Sequence, residues 1–224
     1  MNTINERDLA ILDHVHRHRL ASREILQQLF FPNASRNAVG KVIVRLTQDD
    51  WLREHRLANG FSYCTLGRRG TRHLEAPARV VRPFTEQTLP AAYALSAFCA
   101  SRSISPLTAA EFQREFPALC PSQTVASGYF RYSIDGQTHL AVALVDRANT
   151  LRHLFRKLDR LIRRRYQIPG FFALIHQRRF CITILTGWPA KQEYLAAALR
   201  KKSFDPTRVE AHVVPQLQLF YRRM

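Results

Sequence analysis

Residues 33–52 read NASRNAVGKVIVRLTQDDWL and residues 51–66 read WLREHRLANGFSYCTL. The first stretch predicts a helix. Ser35 is placed to cap it, and Val39, Val42, Ile43 and Leu46 fall at i, i+3, i+4 and i+7, one apolar face. The second stretch changes period. It reads as two strands around Asn59-Gly60, a pair that supplies both positive-φ positions of a type I′ turn. A helix that hands over directly to a hairpin decides how the first part of the chain folds.

Working outward, TINERDLAILDHVHRHRL predicts a helix that opens on a capping box of Thr3 and Glu6. Its apolar stripe is Leu9, Leu12 and Val15. LASREILQQLFFP predicts a second helix, capped by Ser22, with Ile25, Leu26 and Leu29 inward and Pro32 as its stop. After the hairpin, TLGRRGTRHL can form one short helix. Three helices and a hairpin over residues 1–75 describe a winged helix-turn-helix, in which the third helix enters the DNA major groove. That helix starts at Ser35 and turns Arg36, Asn37, Lys41, Val44, Arg45 and Gln48 away from its apolar stripe. Asn and Gln can pair with adenine edges and Arg with guanine. Gly40 lies on the same side and leaves approach to a duplex open. The hairpin adds Arg53, His55 and Arg56; Arg68, Arg69 and Arg72 follow and suit phosphate contacts, which set affinity rather than sequence choice.

Charge points the same way. The chain has 224 residues, enough for one large or two small domains, and a formal net charge of +17. Such a balance favours a polyanionic partner. Through Glu75 there are 12 Lys+Arg against 8 Asp+Glu, and beyond it 22 against 9, so most of the excess lies in the second part. Cys64, Cys99, Cys120 and Cys181 stand far apart with no C-x-x-C pair, which predicts free thiols in a reducing cytoplasm rather than a zinc or redox site. His14 and His18 are spaced i, i+4, but no third ligand has a fitting position, so neither metal nor cofactor is expected. No apolar run approaches the ~20 residues of a membrane span, and MNTINERDL does not read as a signal peptide.

Residues 76–90, APARVVRPFTEQTLP, read as an extended connector, and residues 91–224 as a second module. AAYALSAFCASRS predicts a helix and Thr108 caps a short one. GYFRYSI and QTHLAVALVD pair around Asp135-Gly136. NTLRHLFRKLDRLIRRRY predicts a long helix, capped by Asn149 or Thr150, with Leu151, Leu154, Leu158 and Leu161 inward. GFFALIH and RFCITILTGW read as strands, PAKQEYLAAALRK as a helix and RVEAHVVPQLQLFY as a last strand region. The result is a small α/β module with mixed pairing. Its long helix sets Arg152, Arg156, Lys157, Arg160, Arg163, Arg164 and Arg165 against Asp159 alone. That face reads either as a second phosphate-contacting surface or as a solvated or protein-binding one.

The stretches ERDLAILDHVHRHRLASREILQQLFFP, SRNAVGKVIVRLTQDDWL and YCTLGRRG resemble the winged helix of the replication-relaxation family of bacterial plasmids and other mobile elements. LAVALVDRANTLRHLFRKL looks like that family's C-terminal portion, which is related to PD-(D/E)XK nuclease cores. The resemblance covers most of the chain. It implies an α+β or α/β two-domain protein of the bacterial cytoplasm and nucleoid that binds double-stranded DNA sequence-specifically, in plasmid replication or in transcription control. The second domain then dimerises or adds phosphate contacts.

Nuclease chemistry of that kind needs two acids sharing Mg²⁺. Asp135 falls on a turn signature, no acid stands near Ser127-Gly128, and Leu144 occupies the second acid position. Asp146 and Lys157 alone remain, so the second domain is expected to be a degenerate, inactive core, with Asp146 paired to Arg147 or Arg152 or capping the helix. Two other readings stay open: a metal-dependent DNA nuclease, and an interaction module whose basic domain docks on an acidic protein.

Overall fold

A computed structural model describes residues 4–57, 59–120, 128–147 and 150–221. The chain is mixed α+β and divides into two compact units, Met1–Ser103 and Ile104–Met224. The division follows the helix Leu89–Ser101, which the sequence reading assigns to the second module.

The first unit opens with α1 (Glu6–His18), α2 (Arg23–Phe30) and α3 (Arg36–Gln48), then the antiparallel strands β1 (Leu52–Arg56) and β2 (Ser62–Leu66) and the short α4 (Arg68–His73). The expected cap Thr3 lies outside the described residues. Asn5 is the N-cap of α1, in a capping box with Asp8. The register of α1 differs accordingly: Ile11, Leu12 and Val15 are buried and Leu9 is exposed. Ser22 and Ser35 cap α2 and α3 as the sequence predicts, and Val39, Ile43 and Leu46 form the inward face of α3.

The β1–β2 connection is not the expected two-residue turn. Leu57 N–H donates to Phe61 O at 2.8 Å and Leu57 O accepts from Gly60 N–H at 3.0 Å, with Gly60 at φ +80. Three residues therefore lie between the paired Leu57 and Phe61, the pattern in which a left-handed glycine closes the loop. Ala21 also bridges Cys64 through backbone bonds of 3.0 and 2.8 Å, so the segment between α1 and α2 adds a short third rung.

Gly67 and Gly70 fix how α4 leaves the hairpin. A Cβ on Gly67 would lie 2.2 Å from Asp50 O, and one on Gly70 2.4 Å from Trp51 O. Neither distance is compatible with a side chain, so glycine is required by close backbone approach.

The proline-rich segment, read from sequence as an extended connector, contains a turn and binds back to the hairpin. Within it, residues Ala78–Val81 form a 3₁₀ turn, Val81 O accepts from Thr65 Oγ1 at 3.4 Å, and Phe84 N–H donates to Tyr63 Oη at 3.0 Å. Helix α5 (Leu89–Ser101) then packs on α2. Ser96 Oγ donates to Leu20 O at 3.5 Å and the Tyr93 ring meets Phe61 edge-on at 5.1 Å. An all-round apolar helix belongs in a core, and this one completes the first unit.

The second unit holds α6 (Ala109–Glu115), β3 (Tyr129–Ile134), β4 (Gln137–Val145), α7 (Leu151–Tyr166), α8 (Pro169–His176), β5 (Phe180–Thr186), α9 (Pro189–Lys201) and β6 (Arg208–Val213). The sheet order is β3-β4-β5-β6. β3 and β4 pair antiparallel around Asp135-Gly136, both at positive φ, and β4, β5 and β6 run parallel. Every residue of β5 is buried, the signature of a central parallel strand. The core joins Leu140, Val142, Phe180, Ile182 and Ile184 of the sheet to Leu154 and Leu158 of α7, Phe171 and Ile175 of α8, and Leu195 of α9.

GFFALIH is helix α8, not a strand. Pro169 stands in its first turn, where its fixed φ suits a helix start. Phe171 and Ile175, spaced i, i+4, are the buried pair. A short apolar run does not declare its period, and here tertiary burial on one face chose the helix. Thr150 caps α7; the alternative cap Asn149 lies outside the described residues.

Candidate nucleic-acid interface

Three sets of residues carry the expected chemistry: the outward face of α3, the hairpin with α4, and the outward face of α7. On α3, Asn37, Gly40, Lys41, Val44, Arg45 and Gln48 line one shallow hollow. Val44 is 52% exposed, a large apolar side chain left in water among polar neighbours. A Cβ on Gly40 would meet only the end of the Arg23 side chain, at 3.8 Å. Glycine is not required there by the fold, yet it costs about 1 kcal/mol against alanine in a helix interior.

The arginines of α3 are not equivalent. Arg45 Nη2 donates to Asp8 Oδ1 at 2.7 Å, and Asp8 is fully buried. The same carboxylate accepts the Asn5 backbone N–H through Oδ2 at 3.2 Å. Arg45 is therefore spent largely on holding α3 to the start of α1. Arg36 Nη2 reaches Glu24 Oε1 at 3.0 Å, but both side chains are largely exposed and such a pair is easily exchanged. The Ser35 hydroxyl accepts from Ala38 N–H at 3.3 Å and so belongs to the helix cap. Asn37, Lys41 and Gln48 are the polar side chains of this face that the described residues leave for a ligand.

On the hairpin, Arg53 is exposed, while Arg56 lies against Glu54 at 3.0 Å. His55 stacks on Tyr63 at 5.0 Å and its Nε2 lies 2.9 Å from Thr65 Oγ1. Burial and the Arg53 charge push the His55 pKa down. Arg69 sits 4.4 Å over the Trp51 ring, half-buried, so its guanidinium serves the fold; Arg68 stays exposed.

His14 and His18 stack at 4.0 Å, and His14 Nε2 and His18 Nδ1 are buried without a hydrogen bond among the described residues. Burial lowers their pKa values to about 4 and about 3, with His14 and Arg17 lowering His18 further. Among the described residues, no group of three or more His, Cys, Asp or Glu could hold a metal ion.

In the second unit, Asp146 is fully buried at the C-terminal end of β4. Its carboxylate meets Lys191 Nζ at 2.6 Å and Thr186 Oγ1 at 3.5 Å, and its carbonyl accepts from Tyr221 Oη at 2.9 Å. Asp146 thus forms an ion pair to the first turn of α9, a partner outside those expected from sequence, and the N-cap of α7 is Thr150 rather than Asp146. Lys157 stands two turns along α7, half-buried. Asp135 is at the tip of the β3–β4 turn, at φ 50. It stands at the opposite end of β4 from Asp146, roughly 30 Å away at about 3.3 Å per residue. Ser127 lies outside the described residues, and Leu144 pairs with Ile184 in the sheet. The arrangement leaves one carboxylate, already neutralised by an ammonium.

Arg152, Arg156, Arg160, Arg163 and Arg164 of α7 are exposed. Arg165 turns inward, 4.9 Å over the Phe171 ring and 5.6 Å over that of Tyr129. Sequence reasoning did not find Asp8, Glu24 or Lys191, because ion pairs between distant segments leave no local signal. It also missed the exposed aromatic side of α8, which reading that segment as a strand concealed. Among the described residues no helix is long and apolar enough to cross a membrane. No family model, no curated protein and no solved structure matches the chain.

Proposed function

We propose that the chain is a sequence-specific double-stranded DNA-binding protein whose first unit acts as a winged helix, with α3 in the major groove and the β1–β2 hairpin as the wing. The observation that carries this reading is the outward face of α3: Asn37, Lys41 and Gln48 stand around a glycine that the fold does not need. Asn and Gln can each make a bidentate pair with adenine, and Lys41 supplies charge beside them. Arg53 and Arg68 would contact flanking phosphates, with Arg36 joining them by leaving its surface pair. The net charge of +17 supports a polyanion as partner.

The resemblance to the replication-relaxation family supports a role on a mobile element in a bacterial cytoplasm, in replication or in transcription control. The second unit would then be a nuclease-like frame without its acids, since Asp146 is held by Lys191.

Genome-wide mapping of bound sites, followed by anisotropy titration on the recovered duplex, tests the reading. Asn37→Ala is expected to weaken the specific duplex by about tenfold, within the 1–3 kcal/mol of one base pair's discrimination, and to leave random duplex unchanged. Equal affinity of Asn37→Ala and wild type for the mapped site would falsify the assignment of α3.

A further inference from the structure

Helix α7 carries a row of arginines that runs into a cluster of exposed rings. At 3.6 residues per turn, Arg152, Arg156, Arg160, Arg163 and Arg164 fall within an arc of roughly 120°, opposite Leu154, Leu158 and Arg165. Among the described residues none of the five has an acidic partner. Asp159, the one acid of the helix, is held instead by Lys202 at 2.9 Å.

Tyr166 follows Arg163 at i+3 and extends the row by one turn. Its ring meets Phe172 of α8 edge-on at 5.6 Å, and Phe172 lies 4.2 Å from His176. Phe172 is 47% exposed and His176 is exposed. The core contact of α8 is made by Phe171 and Ile175, and Phe172 and His176 lie roughly 100° around the helix from that pair, outside the core.

We propose that this strip is a binding surface for a single-stranded nucleic acid. The arginines follow the phosphate backbone, and Phe172, supported by Tyr166 and His176, stacks on a base. Five cations without counter-charges among the described residues call for a polyanion. A duplex keeps its base faces inside the stack, so a protruding ring next to those cations has a partner only where bases are unstacked. Such stacking tolerates any base, because every base presents a π-face. The surface lies on the second unit and is independent of α3, although both readings take nucleic acid as the partner.

The test is anisotropy of labelled oligo-dT, oligo-U and a duplex of equal length with the full chain, over a range of KCl. Wild type is expected to bind a single strand, and the tighter of the two homopolymers identifies DNA or RNA as the source. Phe172→Ala should weaken that binding by about tenfold, with duplex affinity and thermal midpoint close to wild type, while Phe172→Trp restores it. Replacing Arg156, Arg160 and Arg163 together by alanine should lower the slope of log K against log salt by about 2. Unchanged single-strand affinity in Phe172→Ala overturns the proposal, and a concurrent loss of self-association would make the rings a contact between copies. If Asn37→Ala leaves specific duplex binding intact while Phe172→Ala abolishes single-strand binding, the α3 reading fails and this one stands.

Discussion

Helices α3 and α7 are both basic and capped by a hydroxyl residue, yet they use their charges differently. On α3 Arg45 is tied inward to the buried Asp8, and Arg36 has an exposed, exchangeable partner in Glu24. What remains outward is amide, lysine and an exposed valine. On α7 five arginines project without partners among the described residues, and Asp159 is paired with Lys202. A tied arginine positions a helix, whereas an unpaired row offers charge to whatever arrives. Composition alone treats the two helices as one kind of surface; the partners of each guanidinium separate them.

Acid should break this comparison most strongly. Helix α3 leans on α1, which buries His14 and His18 as neutral rings. Their folded pKa values, about 4 and about 3, lie below the unfolded value of 6.5. The unfolded chain therefore takes up protons first, and stability falls as pH drops from 6.5 toward those values. Between pH 7 and 4.5 the first unit should lose about 3–5 kcal/mol. Glu210 of the second unit, its pKa lowered first by its hydrogen bond to His212 and also by Arg208, contributes stability that is lost only below the ordinary carboxylate range. Trp51 and Trp188 report the two units separately. Urea titrations of Trp188→Phe and Trp51→Phe chains should show the midpoint at Trp51 moving far more between pH 7 and 4.5; equal movement would sink this account.

Next in size is the Asp8–Arg45 pair. Asp8→Ala leaves Arg45 without its partner and opens the cap of α1, at a cost of about 3 kcal/mol. Arg45→Ala strands a buried carboxylate and should cost nearly as much, whereas Arg156→Ala on α7 should change stability by at most about 0.5 kcal/mol. Equal effects of Arg45→Ala and Arg156→Ala in urea denaturation would erase the distinction between tied and unpaired arginines.

A smaller effect sharpens the reading of α3. Gly40→Ala has room for its methyl group and should stabilise the first unit by up to about 1 kcal/mol. If a duplex approaches this face closely, the same substitution should weaken specific DNA binding. A variant that is both more stable and fully competent to bind would show that the glycine has no part in recognition.

Much of this fold was legible because its signals are local. Ser22, Ser35 and Thr150 announced three helix starts, and the i, i+3, i+4 stripe of α3 named Val39, Ile43 and Leu46 as inward. Asp135-Gly136 marked its hairpin correctly, with both residues at positive φ. Asn59-Gly60 marked a turn but not its length, because the count of intervening residues depends on where Leu57 pairs. α8 was lost for want of period: FFAL can alternate or wind, and only the burial of Phe171 and Ile175 decides. Of the candidate site, the outward residues of α3 and α7 were readable from helical geometry. Which of them carry a counter-charge was not, since Asp8 lies 37 positions from Arg45 and Lys191 belongs to a different helix from any partner expected for Asp146.

The two glycines at the foot of the hairpin offer a handle for recognising this arrangement elsewhere. Gly67 and Gly70 face the carbonyls of Asp50 and Trp51 at distances no side chain can meet. In a library with residues 66–72 randomised and selected for folding, these two positions should return glycine while the exposed Arg68 drifts. The spacing between an Asp-Trp step and a downstream Gly-x-x-Gly would then serve as a search pattern. It would find the same helix-to-hairpin junction in chains whose remaining residues have diverged beyond alignment.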